Sequence, residues 1–133
     1  MSPRPEQPHL AGLWWGLGWA MVLFILYATL APSTDVPDVH LNDKIEHATA
    51  FFGLTFWFGG LVRRERFWVL GVLMSGLGAA IEVAQGTMGL GRDMDIHDWI
   101  ADSCGVLIAV AILVALPRSR GSWLRWVESV AGH

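Results

Sequence analysis

LAGLWWGLGWAMVLFILYATLA, residues 10–31, carries no charged side chain anywhere along its length. At 1.5 Å per residue, a helix of this length reaches across the roughly 30 Å of a bilayer's hydrocarbon core. Three further apolar runs follow at 45–62, 67–83 and 99–116, each about long enough for the same crossing. Helices satisfy their backbone hydrogen bonds internally in lipid, and open sheets cannot. The expected fold is therefore all-α: an integral membrane bundle of four transmembrane helices. Of the 133 residues only 16% are charged and 53% are hydrophobic, whereas a soluble domain carries about a quarter charged residues. The length suits one domain. It divides into a Pro-rich tail at 1–9, a membrane domain at 10–117 and an amphipathic tail at 118–133.

The segments between the runs differ sharply in charge. The loops after the first and third runs hold Asp35, Asp38, His40, Asp43, Lys44, Arg92, Asp93, Asp95, His97 and Asp98. The second loop and the tail hold Arg63, Arg64, Arg66, Arg118, Arg120 and Arg125, and Arg4 lies near the N-terminus. Lysine and arginine close to the membrane set orientation, and they favour the cytoplasmic side. Both termini are thus expected inside, with the acidic loops outside. The eight tryptophans agree with a membrane setting: Trp14, Trp15, Trp68, Trp99, Trp123 and Trp126 fall near expected helix ends or in the tail, where indoles favour the headgroup zone.

Local signals set the boundaries. Pro32 ends the first helix, and Asn42 or Asp43 caps the second, with Glu46 near the reciprocal capping position. The charged turn at 63–66 makes the second and third helices antiparallel neighbours. Gly86, Gly89 and Gly91 mark an outer loop, the fourth helix begins between Asp93 and Asp98, and Pro117 stops it. Residues 119–130 form a short interfacial helix rather than a fifth span. The first run is longer than a signal-peptide core, and it reads as an uncleaved helix. Gly12/Gly16, Gly71/Ser75, Gly76/Ala80 and Gly105/Ala109 allow close helix contact within the chain. Cys104, the single cysteine, can form no internal disulfide and reads as a small buried side chain.

The polar residues recur at helical spacing. Asp43, Lys44 and His47 share one face of the second helix, and Glu82 and Gln85 share one face of the third. Asp95, Asp98 and Asp102 align three carboxylates if the fourth helix is continuous, with Arg92 one turn earlier. Singly, each has an ordinary explanation: Asp43 as a cap, Lys44 snorkelling to headgroups, His47 bonded at a helix end, Asp93, Asp95 and His97 solvated in a loop. Glu82 and Asp102 lie deeper, where a charge costs roughly 2.5–3.5 kcal/mol at mid-helix, so intramembrane ionisable groups are functional candidates. The economical arrangement turns the whole set toward one outward pocket.

Asp43-Lys44-Ile45-Glu46-His47, then Glu82-Val83-Ala84-Gln85, then Gly91-Arg92 leading through Asp98 to Gly105, resemble the VanZ-like family of small bacterial membrane proteins, named for a member associated with teicoplanin resistance. The resemblance covers nearly all of the chain beyond residue 41. It implies residence in a bacterial cytoplasmic membrane, and it places Asp43, Lys44, His47, Glu82, Gln85, Arg92 and Asp98 at the family's polar positions. Asp102 stands where that family is expected to carry asparagine, which adds a carboxylate.

Two functions from different classes follow. In the first, the outward site binds the head of a lipid or a lipid-linked cell-wall component, and the resemblance implies a link to glycopeptide resistance. Lys44 and Arg92 would hold phosphate, and Gln85, Asp95 and Asp102 would contact other polar groups. In the second, the chain is a hydrolase of a phosphorylated or polar lipid, with His47, Asp43, Asp98 and Glu82 catalytic. A divalent metal on His47, Glu82 and Asp98 would activate water, or His47 would serve as general base. A proton pathway ranks lower, because the inner helix halves are apolar. Mere tying of helix ends is the remaining alternative. No nucleic-acid partner is expected, and the oligomeric state is left open.

Overall fold

A computed structural model describes residues 11–31, 43–89 and 94–116, with Trp123, Val127, Val130 and Ala131 in helical conformation in the tail. The described chain is helical and contains no strand. Its elements are α1 (Ala11–Leu30), α2 (Asp43–Gly59), a 3-10 turn at Arg64–Arg66, α3 (Phe67–Thr87) and α4 (Ile96–Ala115). Three stretches are long and apolar enough to cross a membrane: Ala11–Leu30, Arg64–Thr87 and Ile96–Ala115. α2 is the exception to the four-run reading. It has 17 residues, opens on Asp-Lys-Ile-Glu-His and stops at Gly59, short of the expected residue 62.

Side-chain pairings fix the directions of the helices. Lys44 meets Asp98, His47 meets Asp102, and Gly59 faces Leu113, so α2 and α4 run parallel. Gly71 faces Val110, Gly78 faces Asp102 and Gly86 faces Met94, so α3 is antiparallel to α4. Trp14 near the start of α1 meets Trp57 near the end of α2, and Gln85 near the end of α3 bonds Thr29 near the end of α1, so α1 runs antiparallel to α2. One end of the bundle therefore gathers the C-termini of α1 and α3 with the N-termini of α2 and α4.

α2 packs against all three other helices, and among its described side chains Ile45 and Thr49 are the exposed ones. Val22, Leu54, Phe58 and Leu70 form one buried cluster, and Phe51, Ile81 and Val106 form a second nearer the polar end. An interior helix does not need an apolar surface all round, so α2 tolerates its charged first turn. α1 is the reverse case: Leu13, Leu17, Trp19, Leu23, Phe24 and Tyr27 are exposed, while Gly18 and Val22 are its buried residues. With Val72, Leu73, Leu107 and Ile108 exposed on α3 and α4, the apolar surface exceeds what a soluble monomer shows. The described chain is a membrane-type helical bundle.

Close approach of α2 and α4 depends on Gly105, where an added Cβ would run into the backbone carbonyl of Ala48. Gly105/Ala109 thus serves contact within the chain, as expected. Gly12, Gly16 and Gly76 do not: nothing in the described chain lies within 4 Å of a Cβ placed there. Cys104 also departs from the sequence reading, since it is exposed on the outer face of α4. Buried Asp102 and Gly105 occupy the inner face of that helix.

The arginine-bearing end is closed by side chains that cap helix C-termini. Carbonyls in the last turn of a helix lack intrahelical donors. The Arg64 guanidinium donates to the carbonyls of Val114 and Leu116 at the end of α4. The Trp123 indole donates to the Phe56 carbonyl of α2 at 2.7 Å and stacks on the Phe56 ring at 5.3 Å. The tail is thereby seated on the bundle through Trp123, which also meets Trp57 edge-on.

Candidate functional site

Three helices deliver the polar cluster, each for a local reason. Asp95, with φ −132° and ψ 109°, is the N-cap of α4, and its Oδ1 accepts the His97 amide at 2.9 Å. The expected three-carboxylate line along α4 therefore keeps two of its three members. Asp95 precedes the helix, and only Asp98 and Asp102 lie one turn apart on its inner face. Glu82 sits on α3 about 7 Å from that helix's C-terminal end, and Asp102 lies about 9 Å into α4. His47 comes one turn into α2.

Lys44 Nζ donates to Asp95 Oδ2 at 2.8 Å and also to Asp98 Oδ1. Asp98 Oδ2 lies 3.7 Å from His47 Nε2, and His47 Nδ1 is 2.8 Å from Asp102 Oδ1. A continuous polar path thus runs Asp95, Lys44, Asp98, His47, Asp102, from rim to interior. Exposure falls along it: the side chains of Asp95 and Lys44 are 42% and 39% exposed, His47 9% and Asp102 0%. Glu82, 3% exposed, joins from the third side, and its Oε2 accepts the Asp95 backbone N–H at 3.0 Å. At the rim, the Lys44 ammonium and then the His97 amide hold the Asp95 carboxyl down at about 2.

Some polar atoms in this region are buried with no hydrogen-bond partner among the described residues: Glu82 Oε1, Asp102 Oδ2, Gln85 Oε1 and Glu46 Oε1. Gln85 is otherwise engaged, donating Nε2–H to the Thr29 carbonyl at 2.8 Å and tying α3 to α1. Glu46, the expected capping residue, lies in the first turn of α2 with one buried oxygen that has no hydrogen-bond partner among the described residues. One ligand atom from each of His47, Glu82 and Asp102 lies within 4.8 Å of the other two. Asp102 thus takes the place in this group that the sequence reading assigned to Asp98, because Lys44 draws Asp98 toward the rim.

Lys44, His47, Glu82, Asp95, Asp98 and Asp102 are brought together, and Gln85 is buried on the same face of α3 as Glu82. Asp43 is the first residue of α2, but its side chain lies outside the described structure. Arg92 and Asp93, and the loop residues Asp35, Asp38 and His40, also lie outside it. Among the described residues, four carboxylates on α3, α4 and the turn before it face Lys44 and His47, and the His97 ring stands 3.1 Å from Asp95 Oδ1. No protein-family model, no curated protein and no solved structure matches the chain.

Proposed function

We propose that the chain is a VanZ-like protein of a bacterial cytoplasmic membrane that binds the polar head of a lipid or a lipid-linked cell-wall component. In this reading α2 crosses the membrane with α1, α3 and α4, both termini are cytoplasmic, and the polar end faces outward. The observation that carries it is the path from half-exposed Asp95 and Lys44 to fully buried Asp102. Groups that served only to tie helix ends would be expected to end at the interface, where water screens them. Here the path continues inward and leaves acceptors of Glu82 and Asp102 without donors, which suits a polar ligand entering from the rim. The segregation of Arg63, Arg64 and Arg66 to the opposite end supports the orientation.

A second reading has one specific observation in its favour. His47 lies between Asp98 and Asp102, and a buried carboxylate on one imidazole nitrogen is the arrangement that orients a general base. Hydrolysis of the bound lipid would then follow binding. Native mass spectrometry of the detergent-extracted protein tests both. Wild-type protein should retain a phospholipid-type or isoprenoid-lipid adduct, and His47→Ala should lose it. Conversion of that lipid by wild type but not by His47→Ala selects the hydrolase. A folded wild-type protein with no adduct overturns the binding reading.

A further inference from the structure

We propose that the polar end of the bundle binds a divalent metal ion through His47, Glu82 and Asp102. The three side chains come from α2, α3 and α4, and one donor atom of each lies within 4.8 Å of the others. Metal–ligand bonds of about 2.1 Å set donors roughly 3.4 Å apart, so side-chain rotation of about an ångström closes the set. The decisive observation is burial without satisfaction. Glu82 and Asp102 are 3% and 0% exposed, and Glu82 Oε1 and Asp102 Oδ2 have no donor among the described residues. Asp102 Oδ2 is directed at α3 beside Gly78, where a Cβ would stand only 2.9 Å away. Glu82 follows Gly78 by one turn on the same face. Gly78 leaves the room that the Asp102 carboxylate occupies against α3, one turn from Glu82.

Buried carboxylate oxygens without partners are costly, and a cation is one way to satisfy several at once. Lys44 does not supply it, because its ammonium is engaged by Asp95 and Asp98. One imidazole nitrogen and two carboxylate oxygens suit a first-row ion such as Mn2+ or Zn2+ better than an all-oxygen Mg2+ or Ca2+ site or a thiolate site. Asp98 stands beside His47, its Oδ2 3.7 Å from Nε2. Resting on the lipid-binding reading, the ion is also the group that would meet a phosphate, since the surrounding carboxylates otherwise repel one.

The test is titration of chelator-stripped full-length protein in detergent with Mn2+, following free ion by electron paramagnetic resonance, and with Zn2+ by calorimetry. Wild type should bind one equivalent of at least one ion saturably. Glu82→Gln and Asp102→Asn, both of similar volume, should each weaken binding about tenfold or more, and Arg66→Ala should not. Absence of saturable binding to folded wild type, or binding undiminished in both variants, overturns the proposal. Native mass spectrometry before and after chelation separates it from the lipid reading. A lipid adduct on protein that binds neither ion rejects the metal alone, and stoichiometric metal on protein without lipid rejects the lipid alone.

Discussion

Asp95 has two tasks in one side chain. Its Oδ1 caps α4 through the His97 amide, and its Oδ2 receives Lys44. Both stabilise the carboxylate, which lowers its pKa from the ordinary 3.8 to about 2. A depressed carboxyl contributes stability above its unfolded-state pKa and loses it as pH falls through the folded value. The stability gap between wild type and Asp95→Asn should accordingly be constant above about pH 4 and close between 3.8 and about 2. Thermal unfolding in detergent across that range checks it, and a gap that persists unchanged at pH 2 contradicts the assignment. The residue is half exposed, so the effect should also shrink with salt. His47 and Asp102 differ in kind: they are enclosed, and their role is set by what they face.

At the scale of the element, α2 and α4 form the frame on which the site is built. Their register is set where backbone meets backbone, at Gly105 and the Ala48 carbonyl. That contact lies one turn or less from both His47 and Asp102, so it also sets how closely those two approach. Gly105→Ala forces a Cβ against backbone that cannot move aside, and overpacking of this sort costs typically about 1–3 kcal/mol. Gly12→Ala meets nothing within 4 Å in the described chain and should be neutral or stabilising, since alanine is the better helix former. The comparison of unfolding midpoints for the two variants decides whether the α2–α4 contact carries the bundle. Equal midpoints would remove Gly105 from that role.

For the whole molecule, the arrangement is polar at one end, arginine-rich at the other and apolar on its flanks. Exposed His97 belongs to the first end and exposed Glu65 to the second. On a Cys104→Ser background, His97→Cys in intact bacterial cells should react with a membrane-impermeant maleimide. Glu65→Cys should react only after permeabilisation. The opposite pattern would place the polar cluster in the cytoplasm and remove an outer-leaflet ligand from consideration. Labelling at both positions in intact cells would contradict a membrane-spanning arrangement of α3.

Helical class and the sorting of charge to two ends were legible along the chain, because apolar run length and Arg placement are local properties. Most of the cluster was legible too, since residues three or four apart share a helix face whatever the helix packs against. Rotation of one helix relative to another is not a local property. It was decided by Gly105 against Ala48 and Gly78 against Asp102, and with it the exposure of Cys104 and the burial of α2. The same contacts enclosed Asp102 with His47 and Glu82, while Asp98, also beside His47, pairs with Lys44. Spacing treats those two aspartates as equivalent, one turn apart on one face. Only the tertiary structure distinguishes them, by giving one to Lys44 at the rim and enclosing the other against α3.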